Sequence, residues 1–249
     1  MLSAIFLTYS LIHISIWLWG WKLWSQNDKP VSLFLVLFGG TLLFYDNLRI
    51  GMGRFIGEGD LLYAMSVPAF AWHWALLPLL VIAAGSIARQ AELPGASNKF
   101  VMGAFCVVAV ALSVHDIPKI FDMNLVLACL GDTVRYSTSV KGAQLCSPDQ
   151  IPVPSGADAG TVAIITNIIV LITGIGVWVK RRWPWMALGA IFMFSVAGPW
   201  WGDYGLLVAN LGEIAITLGL ITTCVHFAKK RREGSPARSA AAMAVREAA

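Results

Sequence analysis

Seven times between Ser3 and Ala228 the chain runs for about twenty residues on mostly apolar side chains, roughly the length an α-helix needs to cross a bilayer core about 30 Å thick. The runs fall at about 3–22, 31–50, 62–87, 100–121, 161–180, 183–201 and 205–228. Hydrocarbon offers no water to backbone N–H and C=O groups, so each run must pair them internally, as a helix. Composition agrees: only 13% of the 249 residues are charged and the mean hydropathy is +0.70, whereas a soluble surface usually draws on about 25%. The expected fold is all-α, one polytopic bundle of seven transmembrane helices over 1–228, followed by a disordered basic tail, 229–249. The first run has no basic leader and ends among Trp17, Trp19, Trp21 and Trp24 instead of a small-residue cleavage motif, so it reads as a retained span.

Orientation follows from the basic residues. With the C-terminus in the cytoplasm, 13 of the 18 Lys and Arg residues fall inside, and only Arg49, Arg54, Lys119, Arg135 and Lys141 outside. The excess predicts N-terminus out and C-terminus in, in the plasma (cytoplasmic) membrane. The formal net charge of +4 is spent on these connections and forms no nucleic-acid stripe. The one long connection, 122–160, lies outside and holds Cys129 and Cys146. An oxidising compartment favours a bridge between them; Cys106 and Cys224, within spans, read as packing residues.

Function is expected where polar residues interrupt the apolar runs, because an ionisable group in a span is costly and faces a partner or a water-filled space. The densest stretch is Tyr45–Asp60, with Asp46, Asn47, Arg49, Arg54 and Glu58 among four glycines. Arg54 and Glu58 are four apart, an ion-pair spacing if the segment is helical. His73 sits between Trp72 and Trp74 with Pro68 and Pro78 on either side, and His115 and Asp116 end the fourth run. Asn167 lies in the fifth. Asn210, Glu213 and Thr217 form a stripe on the last helix, and Gly205, Gly212 and Gly219 recur every seven residues and suit close packing. Asp46, His73, His115, Asn167, Asn210 and Glu213 all fall in the outer half of the assigned topology, so they are expected to line one outward-facing cavity.

The expected function is a membrane-embedded enzyme acting on a lipid or other lipophilic substrate. His73, Glu213, Asp46 and His115 would do acid–base work, and Asn47, Arg49, Arg54, Glu58, Asn167 and Asn210 would hold the substrate. A ligand-binding receptor or sensor, a small transporter, and a structural subunit meeting partner membrane subunits through its 11 tryptophans are the alternatives. The sequence identifies no cofactor. A metal version would draw on His73, His115 and a carboxylate, but no histidine pair on one helix supplies two ligands. Retinal-binding rhodopsins carry a lysine within the last helix, where this chain has none before Lys229. Seven-span hydrolases of the ceramidase type carry two last-helix histidines four apart, where His226 stands alone.

Overall fold

The computed structural model describes residues 1–154, 160–197 and 199–233. The helices are α1 (Leu2–Gln26), α2 (Val31–Gly39), α3 (Thr41–Ile56), α4 (Asp60–Leu76), α5 (Leu79–Gln90), α6 (Lys99–Asp116), α7 (Pro118–Phe121), α8 (Thr161–Arg181), α9 (Trp185–Val196) and α10 (Gly205–Glu233). Two expected spans are broken: Gly40 separates α2 from α3, and Pro78, which cannot donate a backbone hydrogen bond, separates α4 from α5. Taken across those breaks, six helical segments are long and apolar enough to cross a membrane. Large apolar side chains on the outside, such as Leu11 at 66%, Val107 at 68% and Ile172 at 65% exposure, suit a lipid-facing surface.

The sixth expected span, 183–201, is shorter than its run. α9 has 12 residues, about 18 Å of helix, and gives way to a 3-10 turn at Pro199–Tyr204 with a non-helical Gly202. At the other extreme, α10 runs for 29 residues, about 44 Å, and carries Lys229–Glu233 within the helix. The start of the expected disordered tail is therefore helical; 234–249 lie outside the described residues.

Packing in the half of the bundle away from α3 joins Leu33, Val36 and Leu37 of α2 to Ile87, Val177, Met186, Leu220 and Ile221. Small residues let the backbones approach. A Cβ on Gly219 would lie 2.5 Å from the Trp185 carbonyl, and one on Gly212 would meet Val196 and Met193 at under 3 Å, so α9 lies against the glycine face of α10.

The long connection after α7 contains regular structure. β1 (Val126–Leu130) and β2 (Thr133–Ser137) form an antiparallel hairpin turning at Gly131, φ +58. The Cys129–Cys146 disulfide ties β1 to the following segment, where Gln150 donates to the Leu127 carbonyl at 2.6 Å. The hairpin sits on the end of α3. The Thr133 hydroxyl donates to the Ile50 carbonyl at 2.5 Å, and the Val134 carbonyl occupies the space a side chain at Gly53 would need, 1.8 Å from an ideal Cβ. Tyr136 meets Tyr63 of α4 edge to face at 5.2 Å.

Candidate functional site

The hairpin caps a cavity of about 700 Å³ whose walls come from α3, α4, the α7 region, β2 and α10. Its apolar lining includes Leu42, Leu43, Phe70, Trp74 and Leu206. Five of the residues expected at one site line it: Asp46, Arg49, His73, Asn210 and Glu213. They come from three helices.

Arg49 is the anchor of the outer part. Although only 2% exposed, it is held on several sides: Nη2 lies 2.7 Å from Asp46 Oδ1, and Nη1 donates to Ser66 Oγ at 3.3 Å and to the Tyr136 carbonyl at 3.2 Å. Its guanidinium also lies 5.0 Å from the centre of the Phe70 ring, a cation–π distance. One turn of helix places Asp46 and Arg49 on the same face. The carbonyl of Tyr136 reaches them only because the hairpin is docked.

β2 adds a second guanidinium. Arg135 is 6% exposed and lines the cavity. Its Nη2 donates to Gln144 Oε1 at 3.4 Å, but no carboxylate among the described residues pairs with it and its Nε has no hydrogen-bond partner. Burial, with Arg49 nearby, lowers it to about 10, so it remains a cation at neutral pH. Lys119, also in the wall, donates to Asp116 Oδ1 at 2.6 Å.

At the inner end, His73 and Glu213 line both this cavity and a smaller one of about 90 Å³. His73 stands about 20 Å along α4 from Asp60, deeper than its place in the run suggested. Its ring is accessible and makes no hydrogen bond among the described residues, so the carbonyls near Pro68 and Pro78 do not hold it. Among the described residues, Glu213 Oε2 has no hydrogen-bond partner. The smaller cavity continues between Val36, Leu77, Leu80, Met193 and Leu220 and includes Asn167, whose Nδ2 reaches the Ala190 carbonyl at 3.5 Å and whose Oδ1 has no partner.

The remaining expected residues stand elsewhere. Asn47 is fully buried and satisfied, donating to the Leu43 carbonyl at 2.8 Å and accepting from Asn210 at 3.0 Å, which clamps α3 to α10. Arg54 does not pair with Glu58. Helix α3 stops at Ile56 before Gly57 (φ +75) and Gly59 (φ +146), which leaves Glu58 in an exposed turn, and Arg54 pairs with Asp132 of the hairpin at 2.7 Å. His115 is half exposed and touches Asp116 at 3.0 Å; the buried position went to Asp116, at 4%. Among the described residues no group of three or more His, Cys, Asp or Glu could hold a metal ion. His73 and His115 are not brought together as ligands.

Arg135 was missed because a charge in a polar loop is ordinary, and Lys119 because a lysine at the end of a span ordinarily reaches out to the interface. A signal existed: L-A-C-L-G-D-T-V-R-Y-S alternates about a Gly-Asp pair, the pattern of a two-residue hairpin, and would have placed Arg135 on one face with Thr133 and Ser137. His13, near the middle of α1, is 3% exposed beside the Asn210 backbone. No family model matches this chain, and comparisons with curated proteins and with solved structures found no match, so geometry alone carries the reading of the cavity.

Proposed function

We propose that the protein is a membrane-embedded enzyme whose hairpin-capped cavity takes an amphipathic molecule with an anionic headgroup. The observation that carries this reading is Arg135. A buried guanidinium with no carboxylate beside it is costly, and here a second, Arg49, lines the same space. An anionic group between them would be met by charge-assisted hydrogen bonds from both. Asp46 pairs directly with Arg49 and reaches Arg135 only through space.

The rest of the molecule would lie along the apolar lining, past His73 and Glu213, into the smaller cavity. That route runs from charged to apolar, the order found in a lipid of one leaflet. It sets His73 and Glu213 beside the junction of head and tail. The imidazole of His73 can take a proton from an attacking hydroxyl or water and return it to a leaving group. The carboxyl of Glu213, with Oε2 unbonded, can share that proton or orient the ring.

Native mass spectrometry and metal analysis of protein purified in mild detergent test the reading. The wild type is expected to carry an anionic amphiphile that Arg135→Gln loses, and Glu213→Gln is expected to retain it unconverted. Equal loading of wild type, Arg135→Gln and His73→Ala would sink the shared site. A Glu213→Gln variant that changes affinity while turning over normally would favour a receptor.

A further inference from the structure

The opposite end of the bundle has its own pocket, of about 860 Å³, where the α1–α2 turn and the ends of α5, α8 and α10 meet. We propose that this pocket holds the phosphate-bearing headgroup of a membrane lipid. The inference is independent of the cavity under the hairpin.

Five cations line the pocket, Lys29, Arg89, Arg181, Lys230 and Arg231, against two carboxylates, Asp28 and Glu92. Both carboxylates are engaged: Glu92 pairs with Arg181, and Asp28 with Arg232 at 3.2 Å. Among the described residues no carboxylate lies within ion-pair distance of Arg89, Lys230 or Arg231, so the pocket carries uncompensated positive charge. A topology signal needs only basic residues on the right side of the membrane. It does not need residues from four separate segments to converge, and Lys22, Lys99 and Arg182 at the same end stay outside this pocket.

Two further features favour a ligand. Gln90 donates to Ser32 Oγ at 3.0 Å and to Ser86 Oγ at 3.2 Å, leaving a buried Oε1 unpartnered. Turning the amide over would free the nitrogen instead, so Gln90, a lining residue of the pocket, keeps one buried polar atom unpaired among the described residues either way. Among the described residues, three of the four non-glycine residues with positive φ, Asp28, Lys29 and Glu92 at +59, +51 and +53, also line this pocket, the fourth being Arg182. The lipid assignment follows from place and lining. The pocket opens at helix ends, where headgroups lie, includes Val31 and Phe227, and is far larger than one phosphate requires. Basic pockets between helix ends take such headgroups.

The test uses the full chain in a neutral detergent, titrated with a lipid bearing two phosphodiesters, with phosphatidylcholine and with inorganic phosphate, reading the midpoint of thermal unfolding. The two-phosphodiester lipid is expected to stabilise the protein, and Arg89→Gln/Lys230→Gln/Arg231→Gln to weaken that effect on the order of 100-fold in lipid concentration. The matched variant Lys22→Gln/Lys99→Gln/Arg182→Gln is expected to respond as wild type. Equal weakening in both triple variants, or equal stabilisation by phosphatidylcholine, would overturn the pocket; equal protection by inorganic phosphate would overturn the lipid. If the pocket variant fails to fold, Arg89→Gln and Arg231→Gln alone are each expected to weaken the response roughly 5-fold, and no change in either overturns the proposal.

Discussion

At the hairpin end Arg49 and Arg135 are withdrawn from solvent behind β2, whereas at the other end Arg89, Lys230 and Arg231 stand exposed around a pocket of similar size. Fewer cations lie at the first end, yet each is held more tightly. Arg49 is fixed by Asp46, Ser66 and Tyr136, and Arg135 is enclosed by its own strand and Gln144. The difference teaches that a buried charge depends on partners fixed by the fold, while an exposed one depends on them little. Water screens the exposed set at little cost. Arg135, buried without a paired carboxylate, keeps its charge at a cost.

The comparison breaks most readily at Gly53. Gly53→Val has no room beneath the Val134 carbonyl and is expected to lift the hairpin, lowering stability by about 3 kcal/mol and opening Arg135 to solvent; thermal unfolding and hydrogen exchange of β2 would read both effects. A wild-type Tm would mean that the hairpin is not fixed by this seat. Next comes the disulfide. With its cysteines 17 positions apart, Cys129→Ser/Cys146→Ser is expected to cost about 3 kcal/mol or slightly less, and a reductant should reproduce the loss in the wild type alone.

Arg135→Met sharpens the contrast through its sign. Removing a buried unpaired cation should leave the empty protein as stable or more so, while the anionic amphiphile is retained about 2 kcal/mol less well. A loss of stability without any loss of ligand would assign Arg135 to the fold. Arg231→Met, in the exposed set, is expected to shift unliganded stability by under about 0.5 kcal/mol.

Acid should act on the hairpin end first. The Met1 amino group, and after it the Ser3 N–H and Arg54, hold Asp132 below the ordinary carboxylate value of 3.8. A carboxylate depressed on folding contributes stability above its unfolded value, and that contribution is lost as pH falls through the folded one. Hairpin docking is therefore expected to weaken below about pH 4, more in the wild type than in Asp132→Asn, as read by unfolding midpoints across pH. The smallest effect is at His115, half exposed, where alanine should change neither ligand loading nor Tm by more than about 0.5 kcal/mol.

The apolar runs made the spans legible because a bilayer admits few alternatives, and Asp46, Arg49, His73, Asn210 and Glu213 stood out against them for the same reason. Other features depended on geometry that run lengths do not contain. Nineteen residues from 183 to 201 read as a full crossing, but Pro199 and Gly202 end regular helix early. The spacing of Arg54 and Glu58 suited a pair only if the helix passed Gly57, and it does not. His115 and Asp116 could not share one face, and which of them turned inward was decided by packing around α7. Arg135 was hidden by its setting, since its burial arises from a docking partner 78 to 87 residues away along the chain.

That separation bears on how the protein is made. The seat at Ile50 and Gly53 leaves the ribosome well before the hairpin that fills it, and α4 to α7 must be threaded in the interval. During this time Arg49 has Asp46 and Ser66 but not the Tyr136 carbonyl, and the groove on α3 is open to any passing strand or chaperone. Biogenesis thus includes a waiting stage, and the cavity comes into being late, when β2 arrives and closes the gap.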